Sequence, residues 1–347
     1  MRVAFVGVKR KYQELPEDYR DSFTRYHIEL PYYYAKHGKI DVDVTTVDYQ
    51  PGTETVFPMN HCGGDVGSLR HITESNFRKE GYDVVIHWRK WFPEMYSPEA
   101  LNVINCQDHS FSDEWKIDVA MAYKENKLHG ILCFPGWHQK RLQEELYNWY
   151  RPLTIPGLTL GVDTGIYRPA PDKNPHHLLW ASDPGRGLNE CIKMFLHLFR
   201  INPEYRLHVC YPDYVRGYDA VQHPGIIWHG NVANGPELWN LFNFCGILPY
   251  TSTFMEPSSR AHRQMQAAGG LVLYPPGMGT PSDLIEHMTT GVVAPVERWP
   301  ALIHGLVGSG RWREIGEGAR KMAESESWEV QAGRFRRHFE NILESGE

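Results

Sequence analysis

Residues 249–291 read PYTSTFMEPSSRAHRQMQAAGGLVLYPPGMGTPSDLIEHMTTG, from Pro249 to Gly291. The stretch begins at the end of an apolar run, Gly246-Ile247-Leu248-Pro249, and sets a lone acid, Glu256, in a loop of proline and serine. A helical segment follows, closed by the small residues Ala267, Ala268 and Gly269. Then come a short apolar strand, Leu271 to Tyr274, and a Pro/Gly turn. An acid near a helix start, beside backbone donors and the hydroxyls of Ser258 and Ser259, suits a polyhydroxylated, phosphorylated ligand. The carboxylate accepts from hydroxyls, and the N–H dipoles hold phosphate. The same spacing also describes an ordinary strand–loop–helix crossover with an incidental acid.

Working outward, 347 residues are too many for one ordinary core and predict two domains. A composition 41% apolar and 22% charged is that of a soluble globular protein. No apolar run approaches membrane-spanning length, and Met1 to Val6 leads straight into a strand-like segment, so neither a membrane span nor a secretory signal is expected. The six cysteines (Cys62, Cys106, Cys133, Cys191, Cys210 and Cys245) are scattered without metal-clip spacing, which predicts free thiols in a reducing cytoplasm. A net charge of −6 argues against a surface that embraces nucleic acid, although a local basic groove stays open. The 18 histidines form no zinc-type pattern.

Strand-like and helix-like segments alternate along the chain. In the first half the strands are Arg2 to Gly7, Asp41 to Val47, Asp83 to His87, Asn102 to Asn105 and Gly130 to Phe134. A helix over Ser22 to Lys36 is interrupted by Pro31, and Pro51 to Arg70 reads as loop or hairpin. In the second half they are His177 to Ala181, Arg206 to Cys210, Gly225 to Trp228, Gly246 to Pro249 and Leu271 to Tyr274. Helices over Gly187 to Arg200 and Gly235 to Phe244 lie between them. Such alternation predicts an α/β fold of two Rossmann-like domains with a ligand cleft beyond the strands' carboxyl ends. The boundaries predicted are 1–168, 169–325 and a terminal helix over 326–347.

The quoted stretch resembles the donor segment of the family-four, retaining glycosyltransferases of the GT-B fold. That family carries an acid, seven residues, a second acid, then A-x-G-x-V and an E-I-I-like continuation. Glu256 stands at the first acid and Gln264 at the second, a departure; Ala267, Gly269 and Asp283 to Gly291 follow the rest. Leu160-Gly161-Val162-Asp163-Thr164-Gly165-Ile166-Tyr167-Arg168-Pro169 resembles the family's interdomain segment, with Gly161 and Gly165 as hinge points. Ser327-Trp328-Glu329 resembles the start of its terminal helix, which crosses back to the first domain.

The resemblance implies a nucleoside-diphosphate sugar as donor substrate, with no cofactor. Ser182-Asp183-Pro184-Gly185-Arg186-Gly187 resembles the family's strand-to-helix turn, with Arg186 at the lysine position. A guanidinium there meets the charge of a departing diphosphate, and Ser182 adds a hydroxyl. The same six residues also describe a plain capped helix start. Asn105 to Phe111 resembles the site where the family faces a histidine to the sugar, which singles out His109 beside Asp108. His87-Trp88-Arg89-Lys90-Trp91-Phe92 reads either as a loop packing its flat faces on the protein or as an acceptor platform, with Trp88 stacking and Arg89 meeting an anion.

Asp41-Val42-Asp43 has the spacing of a metal-binding pair, but alternation with Val42 and Val44 reads as a sheet edge, so no metal is expected. The acceptor stays open among a saccharide, a lipid-linked sugar, a small metabolite and a modified nucleobase. Two other functions stay open as well: a nucleotide-sugar-binding protein without turnover, and an epimerase or phosphorylase on the same plan.

Overall fold

The computed structural model describes residues 1–8, 31, 33–46, 55–57, 69–73, 77–108, 110–146, 152–154, 159–211, 221–232 and 235–345. Two compact units divide the chain. One holds the described chain up to Thr159 and again from Trp328, and the other holds Leu160–Ser327. The boundary therefore lies before the Gly161 to Pro169 segment, nine residues earlier than the sequence suggests.

In the first unit β1 (Arg2–Val8), β2 (Asp41–Thr46), β3 (Thr55–Phe57), β4 (Leu69–Thr73), β5 (Val84–Trp88), β6 (Leu101–Asn105), β7 (Gly130–Cys133) and β8 (Pro152–Thr154) form one sheet. Its order is β3-β4-β2-β1-β5-β6-β7-β8. All pairs are parallel except β3 with β4, an antiparallel pair that begins inside the Pro51 to Arg70 segment expected as loop or hairpin and runs past it to Thr73. The central β1, β5 and β7 are largely continuous apolar runs because a parallel sheet is covered on both faces; every residue of β5 is buried. Among the described residues before Thr159 the helices are α1, described over residues 33–38, α2 (Asp113–Lys124) and α3 (Trp137–Glu145). Ser112 caps α2 by accepting from the Trp115 amide at 3.2 Å.

One strand-level expectation fails. The Asp41-Val42-Asp43 strand is no edge: β2 lies between β4 and β1. Asp43 survives burial there because it accepts from Tyr82 at 2.6 Å and pairs with Arg2 at 2.9 Å.

The second unit carries β9 (Asn174–Ala181), β10 (Arg206–Tyr211), β11 (Ile226–Asn231), β12 (Cys245–Pro249), β13 (Leu271–Tyr274) and β14 (Val292–Val293), in the order β11-β10-β9-β12-β13-β14. All its strand pairs are parallel. Its helices are α4 (Leu188–Ile201), α5 (Pro236–Phe244), α6 (Arg260–Ala267), α7 (Thr280–Leu284), α8 (Trp299–Gly308) and α9 (Arg311–Ser325). Alternation along β9 sends Leu178 and Trp180 into one buried cluster and Leu179 into the other. The chain winds outward through β10 and β11, then returns to place β12 on the other side of β9. The β9/β12 seam is thus the switch point, where open sheets leave a crevice beyond the strand ends.

Two long cations fasten the entry segment to this unit. Arg320 donates to the carbonyls of Thr164 (3.1 Å), Tyr167 (2.6 Å) and Ala267. Lys173 donates to those of Phe242 (2.9 Å), Asn243 (3.2 Å) and Cys245 (2.7 Å), which end α5. Burial pushes the Lys173 ammonium down to about 7, while three carbonyl acceptors favour its charged form. Asp163 accepts from the amides of Gly165 and Ile166 at 3.0 and 3.1 Å. Gly165 therefore sits inside a fastened turn, and the hinge role expected of it has no support.

The last helix, α10 (Trp328–Ser345), belongs to the first unit. Trp328, Gln331, Ala332, Phe335 and Phe339 form its buried stripe at helical spacing. Trp328 stacks on Tyr33 with centroids 5.0 Å apart, Phe335 stacks on Tyr34 at 4.0 Å, and Gln331 donates to Thr159 Oγ1 at 3.0 Å. Each buried ring contributes on the order of 1.5–3 kcal/mol.

Candidate active site

The two strands of the second switch point each hand over to a turn. After β9, Asp183 accepts from the Gly185 amide at 2.8 Å and starts a tight turn over Pro184–Arg186. Gly187 closes it with φ +112°, and a Cβ there would collide with the Thr251 carbonyl. Thr251 in turn donates its hydroxyl to the Gly187 carbonyl at 2.7 Å. After β12 the chain runs through Tyr250 to Glu256, whose backbone is held by Met278 (3.3 Å) and Thr280 (3.0 Å).

These turns bring Arg186 and Glu256, seventy residues apart in sequence, into an ion pair: Nη1 to Oε1 is 2.6 Å. The pair is asymmetric, with the Arg186 side chain 39% exposed and that of Glu256 3% exposed. Tyr250 donates its hydroxyl to the same Oε1 at 3.0 Å, and Ser182 Oγ lies 3.3 Å behind the Tyr250 oxygen. The Tyr250 ring is layered between Trp180 (5.8 Å, 12°) and Tyr274 (5.5 Å, 16°), three rings contributed by or following adjacent strands. Phe254, partly exposed, lies under the Arg186 guanidinium at 5.1 Å.

Burial drives the electrostatics. It pushes the Glu256 carboxyl above its ordinary range, and Arg186 and the Tyr250 hydrogen bond pull against that rise. Burial also raises the Tyr250 phenol, with the Glu256 charge adding to it, so the hydroxyl remains a donor. For Arg186 burial acts downward, and Glu256 and Tyr250 outweigh it. Glu256 is not the exposed loop acid that its Pro/Ser setting suggests; it is 2% exposed, its carboxylate against Arg186 and Tyr250 and its backbone bridged to Gly279.

The other sequence candidates scatter. Ser259 stands at the N-cap of α6 without capping it, and its buried hydroxyl has no partner among the described residues. Ser258 is half-buried. Gln264 donates its amide to the Tyr167 hydroxyl at 2.7 Å, which ties α6 to the entry segment. In the first unit Arg89 takes φ +65° and pairs with Asp108 at 3.7 Å, both partly exposed. Trp88 is a correction: at 3% exposure its ring packs on Phe5 and offers no stacking face. Trp91 and Phe92 are buried with it, so the aromatic segment packs inward. His109 lies outside the described residues.

Sequence reasoning passed over Tyr250, Trp180 and Tyr274. Their signal was position: each is at or just past the end of a strand in the second sheet. It also passed over Arg320 and Lys173, whose carbonyl partners are distant in sequence.

Comparison with known proteins now bears on this geometry. No family model matches the chain, and no curated protein matches it in sequence. Solved structures do match over nearly the whole chain. Sucrose-phosphate synthase from Thermosynechococcus elongatus superposes with a TM-score of 0.71 at 12% identity, covering 99% of both chains. HepE from Anabaena in complex with UDP-glucose gives 0.65 at 13% identity, covering 99% of this chain and 100% of that one. A glycosyltransferase from Rickettsia africae gives 0.67 at 12%, covering 99% and 98%. The fold is GT-B. At this identity the likeness establishes architecture alone: two Rossmann-like domains, with the Arg186–Glu256 pair at the switch point of the second.

The five described cysteines are all free and buried, and Cys62 lies outside the described residues. No described helix is long and apolar enough to cross a membrane.

Proposed function

We propose that this chain is a glycosyltransferase that moves a sugar from a nucleoside-diphosphate sugar to an acceptor hydroxyl, with retention at the anomeric carbon and without a metal ion or other cofactor. The observation that carries the proposal is the Arg186–Glu256 pair beyond the carboxyl ends of β9 and β12. A crevice at that seam is where doubly wound sheets take nucleotides. Arg186 keeps an exposed cation for the diphosphate, whose charge grows as the glycosidic bond breaks. Glu256 keeps a buried carboxylate for sugar hydroxyls. The acceptor oxygen replaces the phosphate oxygen at the anomeric carbon, and the acceptor's proton leaves with the nucleoside diphosphate. Retention rests on the resemblance of Pro249 to Gly291 to family four.

In this reading the hydrogen bond to the sugar or acceptor that the resemblance implies falls to His109, with Asp108 as the alternative. Ser182, Ser258, Ser259 and Gln264 complete the donor side, Gln264 through the amide oxygen that Tyr167 leaves available. Metal independence is supported by the Asp43 carboxylate being engaged by Arg2 and Tyr82. The buried free thiols support work in a reducing compartment such as the cytoplasm.

HepE, whose structures hold UDP and UDP-glucose, directs the first donor to try. Calorimetry with UDP-glucose and other nucleotide sugars, followed by assay of slow donor hydrolysis with and without EDTA, tests the proposal. Binding with chelator-resistant turnover supports it. Binding without turnover would make the chain a nucleotide-sugar binder. Turnover abolished by EDTA and restored by manganese or magnesium would remove the metal-free mechanism.

A further inference from the structure

Tyr250 is the polar centre of the three rings that no sequence feature singled out, and its surroundings define a narrow task. Glu256 Oε1 receives two hydrogen bonds, from Arg186 at 2.6 Å and from Tyr250 at 3.0 Å, whereas Oε2 receives none from the described residues. The Tyr250 hydroxyl has one proton, which goes to Oε1, so Ser182 Oγ supplies the proton of the 3.3 Å contact behind it. The result is a directed chain, Ser182 to Tyr250 to Glu256, in which each bond polarises the next. The phenol cannot swing away from it: the ring is 2% exposed and held between the faces of Trp180 and Tyr274.

We propose that Tyr250 is a positioning residue that locks Glu256 by one carboxylate oxygen, leaving the other as the single acceptor for a hydroxyl of the transferred sugar. This rests on the glycosyltransferase reading above. Arg186 alone would not lock the carboxylate, because a guanidinium engaged by a diphosphate is free to pivot toward it. Tyr250 has no ligand to serve and stays with Oε1 when the donor arrives. A ligand group at this point must donate, so a hydroxyl fits and a sugar carboxylate is rejected. The lock also keeps Glu256 ionised in a site where burial favours its neutral form.

Tyr250→Phe removes the hydroxyl and keeps the ring in its stack. Two readouts separate a positioning role from a packing role. With UDP and UDP-glucose as probes, wild type gains affinity from the sugar, and Tyr250→Phe reduces that gain about tenfold while UDP itself binds as before. In the pH profile of turnover or donor hydrolysis, the acid limb set by Glu256 moves upward by about one pH unit, because a hydrogen bond to the charged form is lost. Ser182→Ala leaves Tyr250 in place and moves the acid limb by less in the same direction; because Ser182 is itself placed on the donor side, that limb is its readout, and the test stands even where the first variant folds poorly. An unchanged sugar contribution and an unmoved acid limb in both variants overturn the proposal and leave the glycosyltransferase reading intact. A wild type that binds no nucleotide sugar overturns both.

Discussion

The two sheets reverse their strand order at equivalent places, β1/β5 in the first and β9/β12 in the second, and treat the residues there in opposite ways. At the first seam Gly7 takes φ +75° and the Phe92 ring occupies the space a side chain would need. His87 is fully buried beside it, and burial pushes its imidazole down to about 3. The Phe92 amide donates to its Nδ1 at 3.3 Å, which fixes the neutral ring as structural. At the second seam a buried carboxylate and a partly exposed guanidinium meet. Topology offers a crevice at both seams, and the side chains decide which seam presents charge.

The comparison breaks most visibly through Glu256 and Phe92. Glu256→Gln is expected to lower turnover by about 10²–10³, the scale for losing one group that stabilises a transition state. Phe92→Ala is expected to lower stability by roughly 3–5 kcal/mol through the cavity left over Gly7, with donor affinity of the folded fraction in place. Kinetics and urea unfolding of both variants check this; near-normal turnover in Glu256→Gln would erase the distinction between the seams. Next in size, Arg186→Ala should weaken nucleoside-diphosphate binding by about 1.5–3 kcal/mol, measured by calorimetry. Unchanged affinity would move the phosphate site to Ser258 and Ser259.

Acid sensitivity sharpens the contrast further. In the second unit His177 Nδ1 meets His208 Nε2 at 2.7 Å, and His208 Nδ1 meets His229 Nε2 at 2.9 Å. Burial, and then the neighbouring imidazoles, push His208 down to about 4; His177 and His229 are lowered as well, burial leading in each. Folded values below the unfolded 6.5 mean that the unfolded chain binds more protons between those limits. Stability is then full above pH 6.5 and is lost as the pH falls toward 4. His208→Asn should flatten that slope, while the His87 contribution extends it toward pH 3. Urea midpoints from pH 7 to 4 measure both.

Smaller effects follow. Gln264→Leu should cost about 1 kcal/mol of stability by freeing the Tyr167 hydroxyl; a simultaneous fall in donor affinity supports the ribose role proposed for its amide. The exposed Arg89–Asp108 pair should contribute about 0–1 kcal/mol, so Asp108→Asn changes turnover, if it faces the acceptor, without moving the unfolding midpoint.

Most of the fold was legible along the chain. Apolar runs flanked by Gly, Pro and Asp marked the central strands of both sheets, because strands buried on both faces leave an unbroken signal, whereas the peripheral β3, β4, β8 and β14 carry no such run and were not foreseen. Asp163, Arg186 and Glu256 were singled out by the resemblance of their segments to family four, since spacing to those runs alone describes an ordinary crossover and a plain capped helix start equally well. Tyr250 was not, since a tyrosine after a strand reads the same whether it caps a core or holds a carboxylate. Trp88 misled for a related reason: aromatic and basic residues in series describe composition, while burial is set by which way the strand's last residue points.

Taken alone, the sequence determined the class of fold, the doubly wound order of elements and the two turns from which the site is built. Those are local properties, carried by hydrophobic period and turn chemistry. The tertiary structure alone decided that Arg186 and Glu256 touch, that Glu256 is buried, that Tyr250 holds it by one oxygen, and that Arg320 and Lys173 fasten the entry segment to the second unit. Each of these depends on partners 6 to 156 residues apart, brought together by strand order. Distance along the chain carries no information about which oxygen of a carboxylate is already taken.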